Sequence, residues 1–156
     1  MKAPPHLKAA LRADCGLESS LQIDSAIQVF VPAERARVMA IAHCGWIVAY
    51  SRVLVFERGL SREPTTMRFP VVAMPQGITA SEHAGFVSWN PDSKTLTAVQ
   101  RTDMCNGRVA RHTYRHQGAG GLNGFVLLRI QHAPACEPRE EDWTTLWEAR
   151  PWDLPK

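Results

Sequence analysis

A chain of 156 residues, 45% of them hydrophobic and 21% charged, is one domain's length with apolar material for a single core, which excludes wholesale disorder. Its net charge of +3 comes from scattered Lys and Arg, whereas nucleic-acid binders gather their cations on one stripe, so nucleic acid is not expected as a partner. No run approaches the roughly 18 consecutive apolar residues of a membrane-spanning helix, so membrane insertion is not expected either.

In chain order, Pro4 and Pro5 suit the first turn of a helix, and Leu7, Ala10 and Leu11 repeat on one face. A short helix is predicted over 4–14, ended at Cys15-Gly16 and followed by a loop over 16–24. Strand patterns take over from there. Ala26 to Val31 is an apolar run stopped by Pro32, and Arg37 to His43 is a second, rich in small residues. Ile47 to Glu57 carries Val48, Val53, Leu54, Val55 and Phe56, the β-branched and aromatic types that fit a pleated surface. Gly59 to Pro64 reads as a turn, and Met67 to Met74 as a strand in which Pro70 marks an edge or a bulge.

The sharpest local signal lies further on. Phe86-Val87-Ser88-Trp89 leads into Asn90-Pro91-Asp92-Ser93, after which Leu96 and Ala98 alternate with Thr95, Thr97 and Val99. Proline after Asn presets a type I turn, so a hairpin is predicted here. Arg108 to His116 and Gly124 to Gln131 form a second pair around Gly118–Gly121, with Val126, Leu128 and Ile130 on one face. Trp143 to Ala149 is the last strand, with Trp143, Thr145 and Trp147 on one side. The fold class is therefore mostly β: an antiparallel meander or small barrel with one short N-terminal helix. A single domain covers 1–150, and 151–156 is a loose tail.

Four cysteines, Cys15, Cys44, Cys105 and Cys136, are well separated and contain no C-x-x-C pair. That spacing disfavours a zinc ribbon and fits two disulfides, in any of three connectivities. Sequential pairing would close two loops of about 30 residues, each bridge stabilising by about 3–4 kcal/mol in the chain-entropy model. Met1 to His6 contain no apolar signal segment, which leaves a cytosolic protein or a mature exported one.

Chemistry is harder to find. His112 and His116 point the same way on a strand but lie about 13 Å apart, too far to share an ion, and read as exposed strand histidines. His43 next to Cys44 does not make a nucleophilic dyad, because neighbours on a strand face opposite ways. Gly118–Gly121 lacks the lysine of a phosphate loop, and Glu137, Glu140, Glu141 and Asp142 read as a solvated loop. No catalytic residue, metal site or cofactor is expected. Arg101, Arg108, Arg111 and Arg115 fall on consecutive strands, with Arg111 and Arg115 on one face, where they would form a cationic patch. Trp46, Trp89, Trp143, Trp147 and Trp152 exceed what a core of this size needs. Trp and Arg dominate interface hot spots, so Trp46, Tyr50, Trp89, Arg108, Arg111 and Arg115 are the expected binding surface.

Pro4-Pro5 before Leu7, then Cys15 and Cys44, Trp89 to Leu96 before Cys105, and Cys136 before Trp143 to Ala149 form three stretches that resemble a family of bacterial exported proteins of unknown function. Pro4-Pro5-His6-Leu7 through Ala10, then Cys15, then His43-Cys44-Gly45 leading to Ala49-Tyr50 is similar to the family's opening, with Ser51 where the family has Asn. Trp89 to Leu96 followed by Asp103-Met104-Cys105-Asn106-Gly107 resembles its hairpin and Asp-Cys-Gly segment. Cys136 and Trp143-Thr144-Thr145-Leu146-Trp147-Glu148-Ala149 resemble its closing Trp-x-x-Leu-Trp-x-Ala. The resemblance implies a periplasmic location, paired cysteines and no assigned catalysis. The expectation is a non-catalytic, periplasmic or secreted β-domain that binds a protein of the cell envelope, such as an inhibitor or immunity protein against an envelope-targeting hydrolase. The alternatives are a small-ligand or glycan-binding module and an enzyme using a reactive cysteine or a metal.

Overall fold

The structure, a computed structural model, describes residues 5–15, 26–33, 37–44, 50–56, 64–73, 77–101, 109–117 and 124–150. Helix α1 (Pro5–Cys15) precedes a first antiparallel sheet of β1 (Ile27–Phe30), β2 (Val38–Cys44), β3 (Tyr50–Phe56) and β4 (Thr65–Thr66), ordered as in the chain. The hairpin of β5 (Phe69–Ala73) and β6 (Gly77–Ser81) follows. A second sheet runs β7 (Phe86–Asn90), β8 (Thr95–Arg101), β9 (Val109–His116), β10 (Phe125–Ala133) and β11 (Thr144–Glu148), again in chain order. Every hydrogen-bonded neighbour is consecutive in sequence. The fold is the antiparallel meander, and no sheet closes into a barrel among the described residues.

The apolar composition of β2 explains the layering. Met39 and Ile41 point into a core shared with Val53, Val55, Val87, Leu96, Ala98 and Tyr114, which lies between the two sheets. Val38, Ala40, Ala42 and Cys44 point the other way and pack with Leu7 and Cys15 of α1. A strand covered on both faces needs apolar residues at every position, which is why the run reads as continuous rather than alternating. Leu7 is fully buried, which contributes about 2 kcal/mol toward holding the helix on the sheet.

The 86–101 hairpin forms as its turn chemistry dictates. Asn90 Oδ1 accepts from the Asp92 and Ser93 amides at 3.0 and 3.2 Å, and Lys94 closes the turn at φ 51°. Leu96 and Ala98 are buried, while Thr95, Thr97 and Val99 are half-buried on the other face.

Four expectations need correction. The strand β6 carries no apolar alternation and escapes sequence reading; its first four residues are exposed. A bulge shifts the β9–β10 register between Leu127 and Arg129, so Leu127 faces Tyr114 and Ile130 faces His112, and the predicted Val126, Leu128 and Ile130 stripe is broken. A second shift on β11 pairs Trp147 with Ile130 and Thr145 with Gln131, so these two no longer share a face. Finally, His112 and His116 are buried, because even positions of β9 face the core between the layers. The predicted loop over 16–24, most of the turn at 59–64, Gly118–Gly121 and the tail 151–156 lie outside the described residues.

Candidate functional site

One end of the molecule gathers the cysteine bridge and four rings. Cys15 and Cys44 form a disulfide with Cα atoms 4.7 Å apart, tying the end of α1 to the end of β2. Across the ladder, Cys44 faces Tyr50, a half-buried ring that packs on the helix-side core and meets His83 edge-on at 5.4 Å. On the opposite face of the same two strands, His43 pairs with Ser51, its Nδ1 lying 2.9 Å from Ser51 Oγ, and its ring stacks on Phe86 at 4.6 Å. Burial there lowers the His43 pKa below its ordinary value.

A Ser–His contact invites a catalytic reading, which the geometry answers. Ser51 is 1% exposed, and its Oγ already accepts the Val87 amide at 2.9 Å. A hydroxyl so placed joins the sheets and cannot reach a substrate. Among the described residues, no three His, Cys, Asp or Glu side chains gather closely enough to hold a metal ion.

The arginines divide rather than cluster. Arg111 donates to both carboxylate oxygens of Glu140 at 2.7 and 2.8 Å, gives its Nε to Gln131, and lies 4.3 Å over the Trp143 ring. The bonds from Arg111 hold the Glu140 carboxyl below its usual pKa. Glu140 therefore has a partner, contrary to the expectation of a merely solvated acidic loop. This clip folds the 134–143 connection back over the outer face of β9 and β10. Arg115 lies on the same face, exposed and without an ion pair among the described residues. Trp89 turns inward, stacked on Phe30 at 4.7 Å and edge-on to Phe125 at 5.9 Å, as part of the core between the sheets. Trp46, Cys105 and Arg108 lie outside the described residues; Cys136 is half-buried in the 134–137 bend.

Sequence reading placed the last strand at Trp143 to Ala149, but not the exposed edge that β11 presents. All five of its residues are exposed, with Leu146 at 61% and Trp147 at 42%. Its inner edge pairs with β10, and an Arg129–Glu148 ion pair reinforces that side. Its outer edge meets no strand among the described residues. Edge strands in monomers are commonly blunted by Lys or Pro, and Thr144-Thr145-Leu146-Trp147-Glu148 contains neither, its one interruption being the bulge at Leu146. That lack was the available signal. No helix among the described residues is long and apolar enough to cross a membrane. The chain matches no family model, no curated protein and no solved structure.

Proposed function

We propose that this domain is a non-catalytic, exported binding protein of the cell envelope that grips a protein partner along the β11 edge. Its most concrete form is an inhibitor or immunity protein against an envelope-targeting hydrolase. The supporting observation is the pairing of an open strand edge with exposed Leu146 and Trp147. An open edge offers a row of N–H and C=O groups to an incoming strand, and the side chains beside it supply specificity. Tryptophan at such a place is the residue type that most often dominates binding energy. The Cys15–Cys44 bridge supports the location, since disulfides persist in oxidising compartments.

The test is retention of a protein from periplasmic extract by the tagged, disulfide-bonded chain, compared with Trp147→Ala and Leu146→Lys. A single species held by the wild type and bound more than about 30-fold more weakly by Trp147→Ala supports the proposal, matching a hot-spot loss of about 2 kcal/mol. Retention of nothing, or equal retention by all three proteins, removes it. A thermal shift with wall sugars instead of protein capture would move the reading to a glycan-binding module.

A further inference from the structure

Strand β5 has one edge served by a strand and the other by side chains. On one side it pairs with β6 from Phe69 to Ala73. On the other, the Val72 amide donates to His112 Nε2 at 3.0 Å, and the Tyr114 hydroxyl donates to the Pro70 carbonyl at 2.8 Å. Both side chains rise from the inner face of β9, His112 fully buried and Tyr114 1% exposed. Phe69 leans on Tyr114 at 5.2 Å and is buried with Val71. The β5–β6 hairpin forms a two-stranded sheet of its own, so these side-chain bonds take the place of a ladder to the second sheet.

We propose that the β5–β6 hairpin is an acid-released latch, undocked from the second sheet when His112 takes up a proton. The Nε2 lone pair is occupied by Val72 N–H, so the neutral ring carries its proton on Nδ1, which is buried without a hydrogen-bond partner among the described residues. A second proton sets N–H against N–H at Val72 and buries a cation. Among the described residues, the strand positions that flank His112 carry no carboxylate for that cation. Ala98 of β8 and Ile130 of β10 flank His112 in register, and Val72 covers it from β5. Tyr114 on its own strand is kept neutral by burial, and His132 lies further along β10, opposite Ala110.

Burial pushes the His112 pKa from 6.5 down to about 4. An opened hairpin hydrates the ring and restores its ordinary value. Docking is therefore at full strength above about pH 6.5 and weakens as pH falls toward 4, because the open form binds the proton more tightly. This inference concerns regulation of the fold and stands whether or not β11 is the binding edge.

Amide hydrogen exchange on the full, disulfide-bonded chain tests it between pH 7 and pH 4.5, rates being corrected for intrinsic exchange. Val72 is expected to be less protected than Ile41 at every pH, which marks a local opening rather than global unfolding. Its protection is expected to drop about tenfold per pH unit below about 6.5. His112→Gln keeps an acceptor oxygen without titrating, and is expected to flatten that dependence. Equal protection of Val72 and Ile41, a pH-independent Val72, or an unchanged slope in His112→Gln would overturn the latch. If His112→Gln does not fold, nitrogen-15 titration of the wild-type ring decides. Gain of an Nε2 proton in step with loss of Val72 protection supports the latch, and protonation with Val72 still protected overturns it.

Discussion

Ser51 Oγ and the Val87 amide meet at 2.9 Å, a hydrogen bond that helps fasten the first sheet to the edge strand of the second. The same residue uses its backbone, since Ser51 N–H donates to the Gly85 carbonyl at 2.8 Å. The same hydroxyl lies 2.9 Å from Nδ1 of the half-buried His43, so buried Ser51 has a partner on the sheet's other strand as well.

Removing that hydroxyl leaves the Val87 amide buried with no acceptor. The penalty for such an orphaned donor is about 1–3 kcal/mol, larger than the net value of an ordinary hydrogen bond. Ser51→Ala is expected to lower the unfolding free energy by that amount, read as a lower urea midpoint with an unchanged slope. A loss under about 0.5 kcal/mol would show that the stitch is carried by the backbone bond to Gly85 alone.

Glycines at 77 and 85 provide a matched pair. Both have φ near +90°, a conformation that side chains resist. A Cβ at Gly77 would meet nothing within 4 Å, whereas one at Gly85 would lie 2.1 Å from the Val99 carbonyl oxygen. Gly77→Ala is expected to cost only the conformational strain, about 1–2 kcal/mol. Gly85→Ala must also push β7 away from β8, and is expected to unfold the chain or cost well over twice as much. Comparable urea midpoints for the two variants would contradict the close packing at residue 85.

Acid should weaken the whole fold with a definite sign. The folded-state pKa values of His112, His43 and His116 all lie below the ordinary 6.5, each chiefly through burial, with Lys94 adding to the effect at His116. The unfolded chain therefore binds protons more readily as pH drops below about 6.5, and stability falls with it. For His112 the window runs from 6.5 to about 4, a loss of up to about 3 kcal/mol at its lower end. Denaturation curves at several pH values read this directly. A flat profile from pH 7 to 4.5 would mean that His112 is hydrated in the folded chain.

Local chemistry was legible in the sequence, and distant contacts were not. Asn90-Pro91-Asp92-Ser93 carries its own turn, so the hairpin around it could be placed from four residues. The run from Arg37 to His43 announced a strand through its small and apolar residues, which the structure buries as Val38–Cys44, and the sequential pairing of Cys15 with Cys44 was among the connectivities that loop arithmetic left open. The strand β6 stayed hidden because Gly77-Ile78-Thr79-Ala80 is exposed and held by β5 alone. The Arg111–Glu140 clip joins residues 29 apart through a loop that folds back, and no spacing rule reports that. Trp89 offered the same lesson. Its inward turn depends on Phe30, which comes from the other sheet. The β11 edge was missed because pattern reading looks for which face is apolar, whereas an edge is defined by the strand that is not there.

The disulfide should matter most to the helix. Alone, an 11-residue helix is marginal in water, and α1 relies on Leu7 and Cys15 packing against Val38, Ala40, Ala42 and Cys44. The bridge closes a sequence separation of 29, worth about 3–4 kcal/mol in the chain-entropy model. Its loss leaves α1 held by apolar contact alone, while β1 stays paired with β2 and the core between the two sheets, Phe30 included, keeps its contacts. The double variant Cys15→Ala, Cys44→Ala is therefore expected to lose helical ellipticity at lower urea than it loses the fluorescence signature of Trp89, packed between Phe30 and Phe125. In the bridged protein the two signals should change together. An unshifted midpoint in the double variant would mean that apolar contact alone holds α1 in place, and that the bridge records the compartment rather than stabilising the fold.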